Sequence, residues 1–210
     1  MLPGPSHIYQ CPNCDNLIKR GSLMSGNTFH SKLYSDGKRV APMLPEFPDL
    51  TKCVKCGTIL WLSKMKAIGT LKLGDKQNTP WKNADEAGFL SLDEYFIALN
   101  NGMAKTVEDE LFIRRKIWWA YNDRVRNGAS LFDDEGDESR WGENCAELIK
   151  LLDSEDTNQR IMIAELRRNL GDFEACLAII EQIEDDALTW LKDIFIAECG
   201  KGNRFVTGLN

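Results

Sequence analysis

The sequence predicts an α+β protein: a small β-hairpin module in front and an all-α bundle of repeat-like helices behind. Three observations carry this. Residues 7–66 hold short strand-like runs broken by turn residues. Two C-x-x-C motifs, Cys11-Pro12-Asn13-Cys14 and Cys53-Val54-Lys55-Cys56, frame most of that stretch. From Ser91 onward apolar residues recur at the 3.6-residue spacing of amphipathic helices.

The strand elements come first. Tyr9-Gln10 runs into the first cysteine pair and Leu17-Ile18-Lys19 runs out of it. Thr28 to Tyr34 reads as a strand, Ser35-Asp36-Gly37-Lys38 as its turn, and Arg39-Val40-Ala41 as the return. Asp-Gly supplies the positive φ that a tight hairpin needs. Pro42, Pro45 and Pro48 forbid regular pairing, so 42–49 is a loop. Thr58 to Leu62 is the strongest strand pattern in the chain. Residues 67–90, punctuated by Gly69, Gly74, Pro80 and Gly88, read as a linker. The division expected is therefore 1–66, a linker at 67–90, and a helical domain at 91–210.

The helices follow. Ser91 and Glu94 have the form of a capping box for a helix ending near Asn101-Gly102. A longer helix is expected over about 106–127, with Leu111, Trp118 and Val125 on one face and Ile113, Ile117 and Ala120 widening it. Trp118 and Trp119 read as core packing. The run Asp133-Asp134-Glu135-Gly136-Asp137-Glu138 reads as an acidic, solvated loop. Helical pattern resumes at Trp141, Cys145, Leu148, Ile149 and Leu152. Three shorter helices at about 158–170, 173–184 and 187–199 close the chain.

Cysteine spacing is the strongest chemical signal. A C-x-x-C turn aims two thiolates and several backbone N–H groups at one point. Two such turns give four sulfurs, the ligand set of a closed, structural Zn²⁺ site. The expected ligands are Cys11, Cys14, Cys53 and Cys56, holding one Zn²⁺. Four thiolates also suit iron, which stays as the alternative. Catalytic zinc needs an open position and another ligand set, and His7 and His30 are the only histidines. His7 reads as a mobile terminal residue and His30 as a strand or loop residue. Thiol–disulfide chemistry would want its C-x-x-C at a helix N-terminus, which the first pair does not offer. Cys145, Cys176 and Cys199 fall in apolar helical patterns and read as inert core thiols.

Composition narrows the function classes. No apolar run is long enough to span a membrane. Met1-Leu2-Pro3-Gly4-Pro5 lacks the basic-then-apolar layout of a secretory signal, so a cytoplasmic location is expected. The net charge of −6 is unevenly spread: residues 1–80 sum to +6 and residues 81–210 to −12. A basic front can face nucleic acid through Lys19, Arg20, Lys32, Lys38, Arg39, Lys52 and Lys55, with Phe29, Tyr34 or Trp61 stacking on bases. The same asymmetry also suits a basic module beside an acidic one. No phosphate-binding loop, dinucleotide fingerprint or nucleophile elbow is present, and no small-molecule substrate is indicated.

Two resemblances add to this reading. Around its four cysteines, residues 7–66 resemble a zinc ribbon of the rubredoxin-like type. That implies a structural clip serving protein or nucleic-acid recognition, or electron transfer if the metal is iron. At about 157–205 the chain resembles degenerate tetratricopeptide repeats. Ala164 takes the small position of the first helix, Gly171 the turn, Phe173 the aromatic turn position and Cys176 the second small position. Ile163-Ala164-Glu165 recurs as Ile196-Ala197-Glu198. Arg160 departs from the repeat's early aromatic, and the closing proline is absent. A ribbon ahead of a repeat-like tail also resembles the layout of some bacterial proteins. The reading is a non-enzymatic protein-interaction or scaffold protein, with nucleic-acid binding or iron-based electron transfer as alternatives.

Overall fold

The computed structural model describes residues 1–72, 74 and 80–209, and shows a mixed α+β chain. The described strands, in order, are β1 (Leu2–Pro3), β2 (Ser6–Gln10), β3 (Leu17–Arg20), β4 (Leu23–Ser25), β5 (Lys32–Leu33), β6 (Arg39–Val40), β7 (Leu50–Lys52), β8 (Ile59–Trp61), β9 (Gly69–Leu71) and β10 (Asp85–Glu86). The helices are α1 (Leu92–Asn100), α2 (Val107–Arg126), α3 (Glu135–Leu151), α4 (Thr157–Asn169), α5 (Phe173–Glu181) and α6 (Thr189–Gly200). They form two compact units. One comprises Met1–Ser31 with Val40–Ser91, the other Lys32–Arg39 with Leu92–Asn210.

The first unit is built on a four-stranded sheet in the order β10-β3-β2-β9. β2 pairs antiparallel with β3, Tyr9 opposite Ile18, and with β9, His7 opposite Thr70. β10 lies parallel to β3, Asp85 opposite Ile18. His7 is therefore a paired strand residue, where a mobile end was expected. Residues 67–90, read from sequence as a linker, supply both edge strands of this sheet; positions 73 and 75–79 of that stretch lie outside the described residues. Antiparallel β7 and β8 form a separate hairpin, Thr51 opposite Leu60. Tyr9, Ile18, Leu60 and Leu62 bury around Cys11 and Cys53.

The second unit is helical. Thr106 caps α2 in a reciprocal capping box with Asp109. Its buried stripe is Ile113, Ile117, Trp118, Tyr121 and Asn122. Leu111, Ala120 and Val125, expected on that face, are only half-buried. The stripe turns because Asn122 faces a buried carboxylate, a polar partner that a count of apolar residues does not register. Of the run 133–138, expected as a loop, residues 135–138 are the first turn of a helix. Asp134 caps α3 by accepting from the Asp137 backbone N–H at 2.8 Å, and α3 starts at Glu135. Gly171, at φ +84°, turns α4 into α5, and Asp172 caps α5. Ala164, Cys176, Ile180, Leu191 and Phe195 bury together across α4, α5 and α6.

Residues 32–39 belong to this helical unit and not to the first one. Strand pairing there is short, Lys32–Leu33 with Arg39–Val40, whereas a strand from Thr28 was expected. His30, at φ +58°, turns the chain before it. Gly37, at φ +75°, makes the hairpin turn, with the Gly37 N–H donating to Tyr34 O at 2.9 Å.

Candidate metal centre

The two cysteine turns are built alike. In the first, the Cys11 N–H donates to Asn16 O at 2.9 Å and the Asp15 N–H to Cys11 O at 2.9 Å. In the second, the Cys53 N–H donates to Thr58 O at 2.9 Å and the Gly57 N–H to Cys53 O at 2.8 Å. The fifth position of each turn is left-handed: Asp15 at φ +58°, Gly57 at φ +76°. That conformation folds the chain back tightly enough to bring both thiols of a turn to one side. The first turn hangs between β2 and β3, the second between β7 and β8.

All four sulfurs lie within 4.8 Å of one another. Cys11 and Cys56 sulfurs are 3.6 Å apart, and Cys14 and Cys53 sulfurs 3.7 Å. A sulfur–sulfur bond is about 2.05 Å, so these are not disulfides. A tetrahedron with metal–sulfur bonds of about 2.3 Å has edges near 3.8 Å. The cross-turn spacings match that edge, so the four cysteines could hold a metal ion. Among the described residues, no other group of three or more His, Cys, Asp or Glu is placed to do so.

The thiols differ in setting. Cys11 and Cys53 are fully buried, Cys14 half-buried and Cys56 exposed. The Thr58 hydroxyl, 3.2 Å from the Cys56 sulfur, and the Asn13 side chain pull that thiol down to about 5. The Asn16 backbone N–H favours a Cys14 thiolate, but burial and the neighbouring thiols outweigh it and push Cys14 up to about 12. For Cys11 burial is the largest influence, and the thiol is raised. A cation bound here would have to displace protons from the raised thiols, so affinity would fall as pH falls.

Sequence reasoning missed the groups that surround the sulfurs. The Asn16 side chain donates to the Cys53 sulfur at 3.8 Å and to Asp85 Oδ2 at 2.8 Å, joining the cluster to edge strand β10. A polar residue directly after a left-handed turn residue, at the same offset in both motifs (Asn16 and Thr58), is the signal that could have found them.

The seven basic residues proposed for nucleic acid are split between the units. Lys19 pairs with Glu86 at 2.8 Å, and Arg20 with Asp49 at 2.8 Å and Pro48 O at 2.7 Å. Lys52 and Lys55 are exposed in the same unit. Lys32, Lys38 and Arg39 belong to the helical unit, where Lys38 pairs with Asp123 at 2.5 Å. Of the aromatic residues, Phe29 is exposed, Tyr34 lies under Arg126 at 4.5 Å, and Trp61 under Lys64 at 5.0 Å.

The helical unit carries a cleft of about 620 Å³ between α1, α2 and α3, lined by Phe96, Glu110, Arg114, Arg140, Asn144 and Glu147 among others. Most of its charge is internally paired: Arg114 with Glu110, Arg140 with Asp93, Glu147 with Lys150. No helix among the described residues is long and apolar enough to cross a membrane. No family model matches this chain, no curated protein does, and no solved structure does.

Proposed function

We propose that the four cysteines hold one structural Zn²⁺ and that the protein is a non-enzymatic interaction or scaffold protein. The observation that carries the reading is the sulfur spacing of 3.6 and 3.7 Å across the two turns. Four protein sulfurs fill a tetrahedral shell, leaving no position for substrate. The small core around Cys11 and Cys53 is what a metal would complete, since binding energy in such modules is folding energy. On this reading residues 7–66 are a rubredoxin-like zinc ribbon and the helices a degenerate tetratricopeptide-like stack. Exposed Met24, Phe29 and Val54 on the first unit, and Trp190 and Ile196 on α6, support an interaction role, since apolar surface of this kind suits protein contacts. A cytoplasmic site of action goes with this reading, since thiols kept reduced there are available to bind a metal.

Elemental analysis of protein purified without added metal, with its visible spectrum, tests the centre. One colourless zinc per chain is expected. Red, iron-loaded protein would overturn the structural reading and make electron transfer the leading function. The nucleic-acid alternative is tested by binding to single strands at low salt, with charge reversal at Lys52 and Lys55 as control. Tight binding lost in that variant would displace the scaffold reading.

A further inference from the structure

We propose that the hairpin of residues 32–39 is a latch through which metal loading of the cysteine site holds the helical unit together. The inference rests on the metal reading above. Its basis is the path of the chain. Cys14 and Cys53 would be ligands to one ion, and the segment between them leaves the first unit after Ser31 and returns at Val40. What lies between those points is packed as a part of the helical unit.

The packing is polar, buried and extensive. Ser35 Oγ donates to Glu165 Oε1 at 2.6 Å and accepts from the Thr207 N–H at 2.9 Å. Asp36 accepts from Asn122 Nδ2 at 2.8 Å and from Arg126, whose side chain is itself nearly fully buried. The Asp36 carbonyl accepts from the Trp119 indole N–H at 3.0 Å. The Leu209 N–H donates to Leu33 O at 2.8 Å. Withdrawing the hairpin would take Asp36 from Arg126, leaving it Asp123 at 2.7 Å, and would release the C-terminal residues 203–209 from their bonds to Leu33 and Ser35. Losing one partner of a buried charge is unfavourable, so these eight residues stabilise the helical unit.

The hairpin's own strand pairing adds little, since its strands are two residues each and two-stranded hairpins are marginal in water on their own, so its place rests on these docking bonds. With the metal bound, its flanks at 17–31 and 40–52 are fixed in the first unit and present it at high effective concentration. With the metal gone, the small first unit loosens and the hairpin becomes a segment on a long flexible tether. Its effective concentration then falls, and the docked fraction falls with it. Linkage makes the coupling reciprocal: whatever undocks the hairpin weakens the metal by the same factor.

Hydrogen exchange followed by mass spectrometry on the full chain tests this, comparing zinc-loaded protein with protein stripped by chelator under reducing conditions. Stripping is expected to speed exchange about tenfold in residues 32–39, in 203–209 and in the last turns of α2, as well as in β2, β7 and β8. If β2, β7 and β8 loosen while 203–209 and α2 do not change, the latch is overturned and the metal reading stands. If complete stripping changes nothing in β2, β7 and β8, both fail. The reciprocal arm uses Ser35→Ala, with the milder Lys38→Ala in case the first variant does not fold. Either is expected to weaken zinc several-fold in competition with a colorimetric chelator. Unchanged zinc affinity, in a variant whose residues 32–39 exchange faster than wild type, would overturn the latch.

Discussion

Ser35 and Glu165, 130 positions apart in the chain, share a 2.6 Å hydrogen bond away from solvent. Around it Arg168 donates to both Glu165 oxygens, at 2.9 and 2.7 Å, and Asn169 adds a bond at 3.2 Å. Arg168 also reaches the carbonyls of Asn203 and Phe205, and the Trp118 indole N–H donates to Asn169 at 2.8 Å. One buried carboxylate thus joins the hairpin, α4, α2 and the C-terminal segment.

The network sets an order of severity. Glu165→Ala leaves the Arg168 charge buried and uncompensated, for a loss of about 3–5 kcal/mol. Ser35→Ala removes the bond donated to Glu165 and the bonds accepted from the Thr207 N–H and Arg168, but leaves the Glu165–Arg168 pair in place, for about 1–3 kcal/mol. Urea unfolding of the two variants should preserve that order. Equal midpoints would mean that the Glu165–Arg168 pair is not buried as described.

The paired turns make opposite predictions at one equivalent position. Gly57→Ala forces a side chain into left-handed backbone and should cost about 1–2 kcal/mol. No atom lies within 4 Å of the added carbon, so the cost is the backbone's alone. Asp15→Gly relieves the same conformation and should stabilise by up to about 1 kcal/mol. Thermal melts of the metal-loaded variants check both signs.

Acid should act on Asp137. Burial raises its carboxyl, but the Tyr121 hydroxyl at 2.6 Å, Arg124 at 2.5 Å and the Asp133 N–H outweigh burial and hold it below the usual range. A carboxyl depressed in the folded state contributes stability that is complete above its unfolded value, about 3.9. That contribution is lost as pH falls through the lower folded value. Asp137→Asn should be less stable than wild type at neutral pH, and the gap should narrow below about pH 4. A gap that widens in acid would refute the assignment.

The remaining thiols should be silent. Cys145, Cys176 and Cys199 are buried, and burial raises each of them. In the metal-free chain, where the first unit is expected to loosen, an aromatic disulfide reagent should titrate Cys11, Cys14, Cys53 and Cys56 first. The other three should react only on global unfolding. Fast reaction at Cys176 or Cys199, whose sulfurs are 3.6 Å apart, would contradict their burial.

Periodic and local signals were legible in the sequence. The helices from α1 to α6, apart from the start of α3, the Asp36-Gly37 turn, the proline loop and the cysteine turns follow from residue spacing and turn chemistry. What escaped depends on partners far away in the chain. The hairpin's place in the helical unit rests on Ser35 and Asp36, two short polar residues that look like ordinary turn chemistry. Nothing in the sequence marks Glu165, Arg168 and Asn169 as a buried cluster, because polarity carries no sign of burial. The acidic run at 133–138 looked like a loop, yet Asp134 caps a helix and Asp137 receives a tyrosine and an arginine. β9 and β10 are too short to show an alternating pattern.

The hairpin also limits how this chain can be divided. The backbone passes between the two units at three places, after Ser31, after Arg39 and after Ser91. A gene fragment beginning at the codon for Leu92 would encode α1 to α6 and yet omit one of the two carboxylates that pair with Arg126 and the serine that donates to Glu165. Neither half is therefore a transferable cassette. Recombination that exchanged the front module would have to bring along a compatible eight-residue insert, so the two halves are constrained to diverge together.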